Sequence, residues 1–455
     1  MRDRIEEVIK RLRAKCDYLE VRTEERWSTA VTTKDGAIDA VGKASDAGGC
    51  VRALYKGGWG FVSFNSLDEL GTMAERAVDQ ARAVGAEESK IADVPVVDVY
   101  VKVKPIRDPR DVPLEEKADL VRRYDSIIMG YGAPVTNSMV RYFDTFRVIT
   151  FANSDGSYVV QEKLDLGLGA MARSTRDGET QQAYVPRGSS NDYSVVEGLE
   201  AEVESACKRA VDILNSPKVK GGIYPTIVDP NLGGVFIHEA FGHTSEADEM
   251  MENPSLSEAL KIGRQIGSKG LNAYDTGLDV GVRGYLEYDD EGVKTEKTWL
   301  IRDGVLVGHL HSRESAAKMG EKPTGSARAI NYRYPPIIRM RNTIVAAGKA
   351  TFDDLLDGID EGVYAVGAYG GMGGEMFSFT AEYGRMIRNG KLAEMVRDVK
   401  LQGNLFTTLL AIDAVAGDLA MEDGPGGCGK GSQFPLPVTD GAPHFRIQGA
   451  TIGGE

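Results

Sequence analysis

Apolar residues recur at Ile5, Val8, Ile9 and Leu12 within a charged opening segment, a spacing that lays them on one face of a helix. From residue 18 the period shortens. Residues 18–63 read as short strands, with hairpin-type turns at Asp35-Gly36 and Gly57-Gly58. Helical spacing returns over 66–84 behind a Ser/Asp start. VPVVDVYVKVKP (94–105) predicts a strand that Pro105 closes, and 113–129 a helix with Pro in its first turn. The stretch 139–173 reads as a hairpin around NSDG (153–156). Residues 194–216 form an amphipathic helix carrying Leu199, Val203, Ala206, Ala210 and Leu214.

PKVKGG (217–222) interrupts these periodic elements and marks a domain boundary. Beyond it come a strand (223–230), a helix containing VFIHEAFGH, and a strand-rich remainder with turns expected at Asp303-Gly304, Asn389-Gly390 and Asp440-Gly441. Regular βα alternation is missing. The expected fold class is therefore α+β with two domains: an N-terminal α/β domain (1–218), and a C-terminal, largely antiparallel β domain (219–455) that carries the VFIHEAFGH helix.

Composition narrows the function. The chain has 54 basic and 68 acidic residues, a net charge of −14, and no basic stripe. Nucleic acid is thus an unsuitable partner. No apolar run reaches the length of about 18 residues that spans a bilayer, and the N-terminus lacks the apolar core of a signal peptide. A soluble, cytoplasmic protein without membrane contact is expected. Four cysteines and no CxxC pair make no disulfide framework. Cys16, Cys50 and Cys207 read as core residues.

Candidate chemistry concentrates at His238, Glu239 and His243. Two imidazoles can hold zinc, and a glutamate beside a zinc-activated water can move its proton. The spacing resists this, because residues five apart on a regular helix are rotated by about 140° and displaced by about 7.5 Å. A π-bulge absorbs the extra residue and returns both to one face. A zinc site therefore requires a deformed helix, which Gly242 would ease. The alternative is two unrelated histidines that share a helix. His309, His311, His444, Cys428 and the carboxylates are candidates for a third ligand. His309 and His311, in GHLHS, would share one face of a strand, which suits a metal or an exposed sheet face. Cys428 lies in the glycine-rich EDGPGGCGKGS, where a thiol would be poorly buried and Lys430 would favour its thiolate.

HEAFGH (238–243) and GPGGCGKGSQ (424–433) together resemble the TldD/PmbA family, in its TldD branch with an HExxxH motif. GGWGFVSF (57–64), VDPNLGGVFIHEAFGHTSEAD (228–248), RGYLEYDDEG (283–292), TGSARA (324–329) and the closing FRIQGATIGG extend the resemblance over essentially the whole chain. It implies one Zn2+ per chain held by His238, His243 and Cys428, with Glu239 as general base. It also implies hydrolysis of unfolded or flexible peptides bound in extended conformation along a sheet edge. The partner it implies is a TldE/PmbA-type paralogous subunit, or a second copy of the chain. Gly427, just before the cysteine, departs from the family pattern, and its extra freedom would loosen the thiol's placement without removing the ligand.

A second reading is a non-catalytic, metal-stabilised assembly protein acting through protein partners, as the family's older gyrase-modulator label suggests. Glu239 separates the two, because a structural metal has no use for a base beside its first ligand. GAYGGMGGEMFSF (367–379) and GPGGCGKGS lack the spacing of phosphate-binding loops and read as glycine punctuation.

Overall fold

The computed structural model describes residues 1–422 and 424–454. Its first half is built on a seven-stranded sheet in the order Gly58–Phe64, Ala37–Tyr55, Tyr18–Lys34, Val135–Asn153, Tyr158–Arg176, Asp98–Val101, with Glu179–Ser189 also paired to Tyr158–Arg176. The strands are longer than expected, 17 and 19 residues for the first pair, because Tyr18–Lys34 and Ala37–Tyr55 run unbroken where their sequence alternates. Their turn does fall at Asp35-Gly36, both with positive φ. Helix Arg2–Leu12 buries Ile5, Val8, Ile9 and Leu12 as the pattern requires.

Helices Leu114–Gly130 and Glu200–Asn215 cover one part of this sheet, and Leu70–Val84, started by a Ser66/Glu69 capping box, covers another. The segment expected as one strand over 94–105 is reduced to Asp98–Val101, which pairs in parallel with the Tyr158–Arg176 strand.

Two further sheets make up most of the second half. The larger has nine strands, in the order Gly370–Met372, Met376–Thr380, Lys400–Asn404, Phe445–Gly453, Gly222–Val228, Glu361–Val366, Tyr383–Arg388, Lys391–Val396, with Ile412–Val415 also on Phe445–Gly453. All its pairs are antiparallel except Gly222–Val228 with Glu361–Val366. The second sheet has six strands and contains Ala273–Thr276, Asn342–Val345 and Thr439–Ala442. This is an α+β protein whose second half is dominated by antiparallel pairing. Among the described residues, no helix is long and apolar enough to cross a membrane.

Helix Pro230–Phe236 lies between these two sheets. Phe236, fully buried, packs edge-on against Phe377 at a centroid distance of 5.2 Å. On the opposite side Gly233 and Gly234 admit the Thr439–Ala442 strand so closely that a Cβ on either would stand 3.0 Å from Ala442 Cβ or Asp440 Cβ. Asp440-Gly441 is accordingly not a turn. It lies inside a strand, whose neighbour Met421 would stand 2.7 Å from any Cβ at Gly441.

RGYLEYDDEG clasps the two halves together. Asp290 and Glu291 pair with Arg22 (3.2 Å) and Arg52 (3.1 Å) of the first sheet, and Arg283 forms a two-pronged bond with Asp165 (2.6 and 3.0 Å).

The glycine of the Gly58–Phe64 strand that faces helix Leu70–Val84 permits a stringent packing test. A Cβ at Gly60 would lie 1.9 Å from the Ala77 carbonyl oxygen, whereas one at Gly42 meets nothing within 4 Å. Gly60→Ala should destabilise the protein by about 1–3 kcal/mol, the usual cost of overpacking. Gly42→Ala should shift the urea midpoint little, and equal midpoints in the two variants would refute the packing argument.

Candidate metal centre

Helix Pro230–Phe236 starts at Asp229, whose side chain accepts from the Leu232 N–H, with Pro230 in the first turn. From Ile237 to Gly242 it widens into a π-turn. The His243 backbone N–H donates to the His238 carbonyl, so the extra residue is absorbed between the two histidines themselves. Their rings come together with centroids 5.3 Å apart at 89°. The deformation that the five-residue spacing demands is present. Gly242 permits it through close packing more than through kinking, since a Cβ there would stand 2.0 Å from the sulfur of buried Met340.

Cys428 approaches from the Cys428–Lys430 strand, which pairs with Gln433–Leu436. Its Sγ is 3.3 Å from His243 Nε2. The donor atoms of His238, His243 and Cys428 all lie within 4.8 Å of one another. Two donors at 2.0–2.3 Å around one tetrahedral cation stand about 3.5 Å apart, so the set fits a zinc ion.

The thiol is buried, at 2% exposure, contrary to the poorly buried loop cysteine expected from its glycines. Gly427 contributes to this burial. A Cβ there would meet the Leu436 carbonyl oxygen at 2.7 Å, so the glycine tightens the approach of the two strands and does not loosen it.

Charge distinguishes this cysteine from the others. Burial pushes the thiols of Cys16 and Cys207 up to about 11 and that of Cys50 to about 12. Burial acts on Cys428 in the same sense, but the charges and hydrogen bonds of His238 and His243 overcome it and bring the thiol down to about 5. Lys430 is not the cause, as the sequence had suggested. Its Nζ is bound instead to Glu246 (2.9 Å) and Asp248 (2.7 Å).

Each imidazole is held from behind by a carboxylate. His243 Nδ1 is 3.0 Å from Glu246 Oε2, the same oxygen that accepts from Lys430. His238 Nδ1 is 2.7 Å from Asp440 Oδ1, a close contact bent away from the ring N–H direction. Burial lowers the affinity of His243 for a proton, yet the bonds to Cys428 and Glu246 outweigh it and lift the ring to about 9. Such outer carboxylates fix the orientation of a metal-binding ring. Sequence reasoning missed both. Glu246 was legible as the residue one helical turn after His243, whereas Asp440 was hidden in an apparent turn.

Glu239 Oε2 lies 3.7 Å from His243 Nε2. Burial raises its carboxyl above the usual range, with the two histidines opposing. The Glu239 backbone is covered by the hairpin of Gly370–Met372 and Met376–Thr380, where a Cβ at Gly373 would stand 1.9 Å from the Glu239 carbonyl oxygen. This is the stretch that sequence spacing had already excluded as a nucleotide loop.

His238, Glu239 and Cys428 open on a cavity of about 720 Å³, whose walls include Tyr369, Gly370, Glu382 and Gly424 to Gly427. The remaining candidate ligands lie elsewhere. His444 is bonded to Tyr364 (2.9 Å) and Asp418 (2.8 Å). His309 and His311 are buried beside Glu321 and do not form an exposed sheet face.

Comparison with known proteins shows which family the chain is similar to. Family models described as PmbA/TldA metallopeptidase domain 1, central domain and C-terminal domain match residues 19–81, 107–215 and 221–454. A metalloprotease of Synechocystis sp. is 41% identical over 99% of this chain and 97% of its own length. A zinc metalloprotease TldD homolog of Saccharolobus solfataricus is 28% identical over 96% of each chain. The crystal structure of TldE from Thermococcus kodakarensis has the same fold, with a TM-score of 0.80 at 18% identity, covering 99% of this chain and 100% of that one.

The geometry yields two measurable expectations. Cys428→Ser should lower bound zinc markedly, while serine at Cys16, Cys50 or Cys207 leaves it unchanged; equal zinc content in all four variants would place the third ligand elsewhere. Asp440→Asn, which keeps the shape but weakens the brace on His238, should raise the zinc dissociation constant roughly 10–100-fold. An unchanged constant in a chelator competition titration would show the brace to be idle.

Proposed function

This chain belongs to the PmbA/TldD family of metallopeptidases and is itself a metallopeptidase, and from that premise we propose a zinc-dependent hydrolysis of flexible or unfolded peptides at His238, Glu239, His243 and Cys428. One observation carries this reading: two imidazoles and a low-pKa thiol converge within 4.8 Å beside a carboxyl of raised pKa, and His238, Glu239 and Cys428 line a cavity.

Zinc bound by His238, His243 and Cys428 would supply a Lewis acid for the peptide carbonyl and acidify a water. Glu239 would take the proton of the attacking water on its carboxylate and hand it to the leaving amine nitrogen. A carboxyl raised above its ordinary value suits both steps, because proton transfer is most effective when the pKa lies near the working pH. Glu246 holds Nδ1 of His243, Asp440 stands 2.7 Å from Nδ1 of His238, and Lys430 holds Glu246 in place.

A substrate in extended conformation finds a matching surface. Gly370–Met372 is an end strand of the nine-stranded sheet, the turn after it brings Gly373 against Glu239, and Gly370 lines the cavity. A peptide added there would be bound through its main chain with little side-chain selection.

For the assembly we propose a paired subunit, either a TldE/PmbA-type paralogue or a second copy of this chain. The strand Ala37–Tyr55 supports this, since every residue from Ala37 to Ala47 is exposed, including Ile38 at 39% and Val41 at 50%.

Glu239→Ala should retain zinc and fold but lose roughly 10²–10⁴-fold in turnover of an unstructured fluorogenic peptide. Full activity in that variant would sink the general-base role. Wild-type protein that holds zinc yet cleaves no unstructured peptide, alone or with a paired subunit, would favour the non-catalytic assembly reading.

A further inference from the structure

His309 and His311 remain outside the first centre and meet a carboxylate of their own. Both are buried, at 3% and 1% exposure, just before helix Arg313–Met319. That helix ends at Gly320 in the left-handed region, which turns the chain back so that Glu321 faces the two rings. Glu321 Oε1 is 2.9 Å from His309 Nδ1, and Oε2 is 3.2 Å from His311 Nε2. The three donor atoms lie within 4.8 Å of one another.

Proton accounting makes this cluster unusual. His309 Nε2 is 2.8 Å from the Leu260 carbonyl oxygen, which can only accept, so that nitrogen carries the proton. In the neutral ring Nδ1 then points a lone pair at a carboxylate oxygen. His311 Nδ1 lies 3.0 Å from Ser315 Oγ, and its buried Nε2 has no hydrogen-bond partner although it faces Glu321. While the His309 ring is neutral its Nδ1 lone pair stands against the carboxylate, and the two rings face Glu321 with their centroids 6.0 Å apart. A single divalent cation satisfies all three donors together.

We propose that His309, His311 and Glu321 form a second divalent-metal site, of the zinc or iron(II) class, separate from the one at His238, His243 and Cys428. Two imidazoles and one carboxylate are a donor set that such cations accept. The outer nitrogens are held by a carbonyl and a hydroxyl, as metal-binding rings usually are. The Glu321 side chain is 26% exposed, which gives an ion a route in and a water a fourth position.

Its role is structural. Leu310, between the two histidines, receives a bond from Ala247 N–H (3.0 Å) and donates one to the Ser245 carbonyl (2.9 Å). These bonds bracket Glu246, the carboxylate that holds His243. An ion at His309, His311 and Glu321 would therefore stiffen the segment on which the first centre is braced.

The test counts tightly held zinc per chain by elemental analysis, after zinc loading and gel filtration, with circular dichroism to establish folding. Wild type should hold two equivalents, His238→Ala/His243→Ala one, and the same variant with Glu321→Gln or His309→Gln added should hold none. Zinc should also raise the Tm of His238→Ala/His243→Ala protein and not that of the triple variants. A folded His238→Ala/His243→Ala protein that retains no zinc and gains no Tm would overturn the proposal, leaving a hydrogen-bonded His–Glu cluster. Zinc lost with Glu321 but unaffected by His238 and His243 would support this site and remove the first one instead.

Discussion

The rest of the site depends on one backbone irregularity, the π-turn from Ile237 to Gly242. On a regular helix His238 and His243 would face different ways, and no choice of rotamer would bring both to one ion. The wider turn aligns them, but it gives up the regular pattern of helix bonds and must be supported from outside. Support comes from both flanks. Phe236 anchors the preceding turn among Phe377, Phe379 and Phe445, while Met340 and the Gly373 hairpin press on Gly242 and Glu239. Glycine at 242 and 373 is required because a single Cβ at either would occupy space already filled.

Electrostatics then builds outward in layers. A buried thiol is ordinarily neutral, as Cys50 and Cys207 are, because apolar surroundings penalise the thiolate. Two imidazoles reverse this at Cys428. Two carboxylates behind the imidazoles, and Lys430 behind one of those, keep the buried charges paired. Each layer would be costly alone, since an unpaired buried charge is among the most destabilising features a protein can carry.

Much of this was legible in the sequence. Periodicity located the helices from Arg2–Leu12 to Glu200–Asn215, and the five-residue spacing of the histidines required a bulged helix if both were to reach one metal. What escaped was non-local. Asp440 looked like part of a turn because Asp-Gly usually is one, yet here Gly441 serves close strand packing against Met421. Lys430 was assigned to the thiol two residues before it, whereas its salt bridges carry it to Glu246 and Asp248. The burial of Cys428 was hidden because glycines around it suggested mobility, while in the folded chain they allow backbones to touch.

The remaining question is why a site in the second half should need the first. The answer lies in the loop that delivers the cysteine. Gly424 to Gly427 offers few side chains with which to pack itself, so its carbonyls must be fixed by something else. Arg283 does this. It is buried, it grips Asp165 of the first sheet with two bonds, and it donates from the same guanidinium to the carbonyls of Gly424 and Gly426 (the latter at 2.7 Å). Arginine can do this where lysine could not, because its planar fork serves a carboxylate and carbonyls simultaneously. On the other side Gly167 of the first sheet leaves room for Pro425, which would stand 2.9 Å from a Cβ there. The long N-terminal sheet is thus a template against which the glycine loop is set, and the thiol that follows the loop inherits its position from that sheet.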